Sequence, residues 1–414
     1  MVSSKIIHGL LWGWISNCQQ GNNNIMNRNH EVYKHKHICL VGDHYNPLAI
    51  IRSLGEEGIK PIVLLCSEHP HLIQYSKYIG EIHFFKTNEE GFSYLLAHYA
   101  NETLKPFIYT GSDDIALLID KNYDRLKEHF YFANAKGNLE KYQNKFEITS
   151  LAKECGVGIP NGEMLPVGTF PTTLKYPVFT KAITSAGGGI WKDQAFICKD
   201  RIELKDAYNK IRAKNILVQE YIEKKNELCI DGISINGGEQ IFMPYGCEYY
   251  RFIPGNYGNY MKFTPFTDED LTERIKNIIK GAQYTGIFCI EFMVGKDDKL
   301  YFLEVNFRHS GWGYAFTYGG FNLPFRWAVS IIDNLIYLDH FFPLEKFNVM
   351  SEIADFNDCM SYHRTGFWKW FSDFYKCDCK LIYNKKDNKP FRKAFVRIVN
   401  GIIKQKTRKI LHIK

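Results

Sequence analysis

No Cys-x-x-Cys pair occurs in the chain, and its 11 cysteines are odd in number and scattered, with only Cys377 and Cys379 close together. That pattern offers neither a zinc site nor a disulfide framework, and it suits a reducing cytoplasm. Long apolar runs are also lacking. Ile6 to Ile15, after Lys5, is too short to span a bilayer and contains His8. Ile15-Ser16-Asn17-Cys18 fails as a lipoprotein cleavage box because Asn17 stands where a small residue is needed. The expectation is therefore a disordered leader over residues 1–34, with Met26 as the functional initiator. Internal repeats and low-complexity tracts are absent. Acidic residues are missing from 390–414, which hold eight Lys and Arg; subtracting those from the net +7 leaves −1 for the rest. The basicity is local, so nucleic acid is not an expected partner.

What is present is enough apolar content for a substantial core. With 45% hydrophobic and 23% charged residues over 414 positions, two or three globular units are expected. His37-Ile-Cys-Leu-Val-Gly42, a helical stretch from Leu48 to Glu57 and the run Pro61 to Leu65 form a β-α-β pattern. Phe107-Ile-Tyr109 leads into Thr110-Gly-Ser-Asp-Asp114, a strand end of the kind where parallel sheets place ligands. Helix capping is the favoured role for Asp113. Asn144 to Cys155 reads as a helix, stopped by Gly156 and Pro160. From Tyr176 onward, apolar runs separated by glycine and charged turns predict mainly antiparallel sheet. The fold class is α/β plus α+β.

Gly286-Ile-Phe-Cys-Ile-Glu-Phe-Met-Val294 and Leu300-Tyr-Phe-Leu-Glu-Val305 flank Gly295-Lys-Asp-Asp-Lys299, a hairpin signature. Centred between Asp297 and Asp298, the hairpin sets Glu291 opposite Glu304 and puts Asn306 on the same face. Two carboxylates that close repel, and a cation relieves them; two acids and an amide oxygen suit magnesium. The competing reading is a solvent-facing strand pair. Ser185-Ala-Gly-Gly-Gly-Ile190, between Lys181 and Lys192, could lay N–H groups over phosphate, although turns alone explain three glycines. Arg251, in a glycine-rich segment, is a candidate to face substrate, with a simple loop role as the alternative. Gly366-Phe-Trp-Lys-Trp-Phe371 reads as a packed segment.

The order Asn144-Lys145, Lys181 with the glycine loop, Gln219-Glu-Tyr-Ile222, Glu227, Glu291 and Glu304-Val-Asn-Phe-Arg308 resembles the ATP-grasp superfamily, over about residues 38 to 330. The resemblance implies a pre-ATP-grasp β-α-β domain at 35–136, a two-part ATP-grasp fold with antiparallel sheets at 137–335, and an aromatic, basic extension at 336–414. It implies ATP with one or two Mg2+ ions, Mn2+ being an alternative. Lys145 and Lys181 would hold phosphates and the purine side. Ser185, Gly187, Gly188 and Gly189 would form a lid, and Glu220, Tyr221 and Ile222 would meet adenine. Glu227 would take the ribose, Glu291, Glu304 and Asn306 the metal, and Arg308 an acyl phosphate or substrate carboxylate. Phe307 replaces the usual proline, which affects only loop rigidity. The single-chain layout, the aromatic tail and Lys386-Asp-Asn-Lys-Pro390 resemble bacterial carboxylate-amine ligases, including the D-aspartate ligase group. The implied activity is amide or peptide bond formation between small-molecule carboxylate and amine substrates, in a homodimer by the usual prior. Phosphotransfer, carboxylation or silent ATP binding are the alternatives. The tail, with Phe391, Phe395, Ile398, Ile402 and Ile403 at helical spacing, suits either an anionic membrane surface or docking on the enzyme.

Overall fold

The computed structural model describes residues 31–69, 71–181, 195–251, 258–338, 341–362 and 364–397. Three sheets organise them. The first is parallel, in the order β3-β2-β1-β4-β5, from β1 (His37–Val41), β2 (Ile62–Cys66), β3 (Glu81–Phe85), β4 (Phe107–Tyr109) and β5 (Tyr131–Phe132). All five residues of β1 are buried, as expected of an interior strand covered on both faces. Helix α1 (Pro47–Glu56) begins with proline, whose missing N–H costs nothing in a first turn. Helices α2 (Asn88–Tyr99) and α3 (Asp113–Lys121) follow β3 and β4. Val32, inside the stretch expected to be a leader, is fully buried, and its carbonyl contacts the ring of His37 at 3.0 Å.

Helix α4 (Lys145–Glu154) is capped by Asn144, whose side chain accepts from the Phe146 N–H. A small antiparallel sheet, β6-β9-β7-β8, comprises β6 (Gly162–Pro166), β7 (Val178–Lys181), β8 (Ile197–Cys198) and β9 (Asn215–Glu220). Helix α5 (Arg201–Tyr208) shares its core of Val178, Leu204, Ile216 and Val218.

The large sheet runs β14-β13-β10-β11-β12-β15-β16. Its strands are β10 (Lys224–Ile235), β11 (Gln240–Tyr249), β12 (Tyr260–Pro265), β13 (Gly286–Gly295), β14 (Leu300–Asn306), β15 (Phe347–Met350) and β16 (Cys379–Lys380). One face packs Ile230, Phe288, Ile290 and Phe302 against α4 and against α6 (Glu269–Gly281). The other buries Ile233, Cys247 and Ile287 beneath α7 (Gly313–Tyr318) and α8 (Leu323–Asp333), which reach Ile50, Ile51 and Leu54 of α1. This helical layer joins the parallel sheet to the large one. Gly313 is required there, since a Cβ would lie 1.7 Å from the His309 ring.

The stretch read as a C-terminal extension is built into this body. It supplies β15, helix α9 (Glu352–Ser361) and β16, and then 381–387 docks on the parallel-sheet unit. The Arg52 guanidinium, fully buried, donates to the carbonyls of Leu381 (2.7 Å), Ile382 (2.8 Å) and Asp387 (2.9 Å) and to Asp387 Oδ2 (3.0 Å). Asp387 also accepts from the Ser76 hydroxyl (2.8 Å) and the Lys77 N–H (2.9 Å). Every polar atom of this pair is aimed at a partner, so removing one side strands a buried charge. Asp387→Ala should destabilise by about 3–5 kcal/mol. Removing the exposed Lys121–Glu140 pair should cost less than about 1 kcal/mol. Denaturant unfolding of both variants measures the contrast.

Candidate functional site

The β13–β14 hairpin carries the acids. Near the turn, Phe292, Met293 and Val294 pair with Phe302, Tyr301 and Leu300; farther along, Glu291, Ile290 and Cys289 pair with Glu304, Val305 and Asn306. Leu303 is therefore an extra residue, a β-bulge. The bulge has a packing cause. Phe302, Val305 and Phe307 all belong to one core cluster, and strict alternation would have put Phe302 on the face of Glu304. The expected centre between Asp297 and Asp298 holds only beyond the bulge; near the turn the register centres on Asp297 itself.

Burial, then Glu304, then Glu227 push the Glu291 carboxyl far above the usual range, to about 8. Asn306 mediates between the acids: its Nδ2 donates to Glu291 Oε1 (3.1 Å) and Glu304 Oε1 (3.4 Å). Its Oδ1 accepts from Arg308 (3.1 Å). Cations close in from three other elements. Lys145, first residue of α4, reaches Glu304 Oε2 at 3.2 Å. Lys181, at the end of β7, is held down to about 8 by burial and by Lys145, with Glu304 opposing. The Arg308 Nε pairs with Asp113 Oδ1 at 3.1 Å.

That last contact corrects the expectation for Asp113. Ser112 occupies the cap position of α3, and the Asp113 side chain reaches across to Arg308 instead. Arg251 is corrected as well. It forms ion pairs with Asp355 (2.5 Å) and Asp373, so its guanidinium is taken up in fastening the C-terminal helices to the end of β11.

Glu227, 5% exposed and inside β10, holds Lys224 and the Tyr249 hydroxyl. Ligand atoms of Glu227, Cys229 and Glu291 lie within 4.8 Å of one another. Asp231, two residues further on the same face, is fully buried with neither oxygen in hydrogen-bond geometry. Burial lifts it to about 6, opposed by the nearby Ser310 hydroxyl, Cys289 thiol and Arg308. Sequence reasoning missed Asp231, Cys229, Lys224 and Tyr249. The alternation Glu227-Leu-Cys-Ile-Asp231 was the available signal, but only the β10–β13 pairing, 60 or so residues apart, sets it beside Glu291.

Glu220 ends β9, and its carboxylate accepts from the Asn161 backbone (2.9 Å) and side chain (3.3 Å). The Tyr221 N–H donates to the Pro177 carbonyl at 3.1 Å, so the segment through Ile222 is pinned between the small sheet and β10. Ser185, Gly187, Gly188 and Gly189 lie outside the described residues, as do Ile398, Ile402 and Ile403 of the tail.

No protein-family model matches the chain, and no curated protein matches it by sequence. Solved structures do match. L-amino acid ligase from Bacillus licheniformis superposes with a TM-score of 0.57 at 15% identity, over 76% of this chain and 79% of that one. N5-carboxyaminoimidazole synthetase from Staphylococcus aureus gives 0.62 at 16% identity, over 80% and 86%. The biotin carboxylase domain of Hydrogenobacter thermophilus 2-oxoglutarate carboxylase, in complex with MgADP, ADP and bicarbonate, gives 0.56 at 18%, over 76% and 73%. These are ATP-grasp enzymes and the likeness is one of architecture, including the parallel sheet followed by antiparallel ones: the chain has the ATP-grasp fold.

Proposed function

We propose that this protein is an ATP-dependent carboxylate-amine ligase that works through an acyl phosphate and releases ADP and phosphate. The observation that carries the reading is the meeting of Glu291, Glu304 and Asn306 with Lys145, Lys181 and Arg308 where all three sheets converge. ATP is the expected nucleotide, with Lys145 and Lys181 on its phosphates and the 220–222 segment beside adenine. The Ser185–Gly189 loop would close over it. Glu227 already accepts from Lys224 and Tyr249, one on each oxygen, and the second lone pair of each oxygen is what ribose hydroxyls would meet.

The donor set fits a small divalent cation, magnesium first and manganese next. Glu291 and Glu304 face each other across the hairpin, burial and their mutual repulsion raise the Glu291 carboxyl to about 8, and the Asn306 amide lies between them. Glu291, Glu304 and, through its amide oxygen, Asn306 would hold the ion, which would supply positive charge to the nucleotide phosphates. Lys145 and Lys181 neutralise charge developing on the transferred phosphoryl group. Arg308, oriented by Asn306 and Asp113, holds the substrate carboxylate. One carboxylate oxygen attacks the γ-phosphorus and ADP leaves. The amine then attacks the acyl carbon, phosphate departs with that oxygen, and the nitrogen loses a proton. Bicarbonate in place of a carbon-bound carboxylate would use the same first step, which makes carboxylation the second reading.

Labelled oxygen in the carboxylate should appear in phosphate, and ADP release should require an amine; label left in the carboxylate sinks acyl-phosphate chemistry. Glu304→Gln should abolish ADP formation with the thermal midpoint retained, and full turnover would refute its role. Arg308→Ala should impair use of the carboxylate more than nucleotide binding; the reverse split would show the arginine is misassigned.

A pH signature follows from Glu291. Its folded value lies above the unfolded one, so its contribution to stability is complete below about 4.5 and is lost as pH rises through about 8. Without cation, the midpoint should fall over that window, and Glu291→Gln should flatten the fall. Magnesium, competing with that proton, should stabilise the protein more at pH 8 than at pH 6. Equal stabilisation at both would exclude Glu291 as a ligand.

A further inference from the structure

Helix α10 (Phe367–Lys376) departs from the packed segment expected there. Asp373 is its only buried residue, clamped by Arg251 and by Lys369 (2.5 Å). Trp368 is 80% and Tyr375 81% exposed, with Phe367 and Phe371 about half exposed. The following helical segment from 389 adds Phe395 and Val396, also exposed. Between the two lies a cavity of about 610 Å³ lined by Phe356, Trp370, Phe374, Tyr383, Phe391 and Phe395. An aromatic surface this continuous is a marker of an interaction site.

Charge selects the occupant. Residues 364–397 contain ten Lys and Arg and three Asp. Asp373 and Asp387 are buried in ion pairs, which leaves Asp378 as the one exposed acid of that stretch. A second copy of the chain would bring the same positive face. Residues 398–414 add five Lys and Arg and no acid, so their composition offers the patch no opposite charge. A surface rich in negative charge with an apolar layer beneath suits the patch on both counts. Trp and Tyr favour such boundaries because one end of each ring system is polar. No helix among the described residues is long and apolar enough to cross a membrane.

We propose that the face formed by α10 and the 389–397 segment docks the protein on an anionic phospholipid bilayer. Trp368, Phe371 and Tyr375 enter the boundary between headgroups and acyl chains, and the lysines and arginines around them meet lipid phosphate. The proposal is independent of the ligase reading.

The test uses the full chain with vesicles of phosphatidylcholine alone or with about a third phosphatidylglycerol. Sedimentation should show binding to the anionic vesicles only, weakening as salt rises, with a blue shift in tryptophan emission. Trp368→Glu combined with Tyr375→Glu should weaken binding by roughly tenfold or more at an unchanged thermal midpoint. Both side chains are exposed, so the fold does not depend on them, and Phe371→Ser provides a milder second variant expected to weaken binding in the same direction. Binding to neither vesicle, equal binding to both, or binding unaffected by these substitutions would overturn the proposal. So would self-association that the double variant abolishes, which would assign the face to a second copy.

Discussion

Glu291 and Glu304 face each other across two adjacent strands, and the surrounding structure compensates for that repulsion. Burial and the facing Glu304 disfavour a second negative charge on the pair and push the Glu291 carboxyl up to about 8, and an amide and three cations gather around the two acids. No single element could supply those groups. Lys145 comes from the start of α4, Lys181 from the small sheet, and Arg308 from the chain after β14, steadied by Asp113 at the end of the parallel sheet. The relative placement of three sheets is thus tied to one electrostatic problem, and any change in their spacing would alter it.

Much of this was legible because strand alternation is local. The two hairpin strands, the helix from Asn144 and the β-α-β start follow from spacing over short stretches of chain, and the structure has them. Glu291 lies opposite Glu304 as expected, yet by way of a bulge at Leu303 that simple counting from the turn does not contain. What failed was non-local. Asp113 looked like a cap because its partner Arg308 is nearly two hundred residues away. Arg251 looked available for substrate because Asp355 and Asp373 come a hundred residues later. Asp231 became visible only when β10 paired with β13.

The C-terminal residues illustrate the same limit from the other side. An aromatic run reads as core by composition, but α10 spends its one buried position on Asp373 and turns Trp368 and Tyr375 outward. Burial is decided by what the rest of the body offers, and here the large sheet is already covered on both faces.

The Arg52–Asp387 pair has a consequence for how the chain is made. Its members are 335 residues apart, so the guanidinium of α1 is synthesised long before anything can neutralise it. At ribosomal rates that interval is roughly twenty to seventy seconds. Through that interval the first sheet is a nascent unit with an unpaired arginine and the surface meant for 381–387 uncovered. Completion of the N-terminal unit therefore waits on the synthesis of residues 381–387, which makes a chain broken off near residue 380 defective in its first sheet as much as in its later ones.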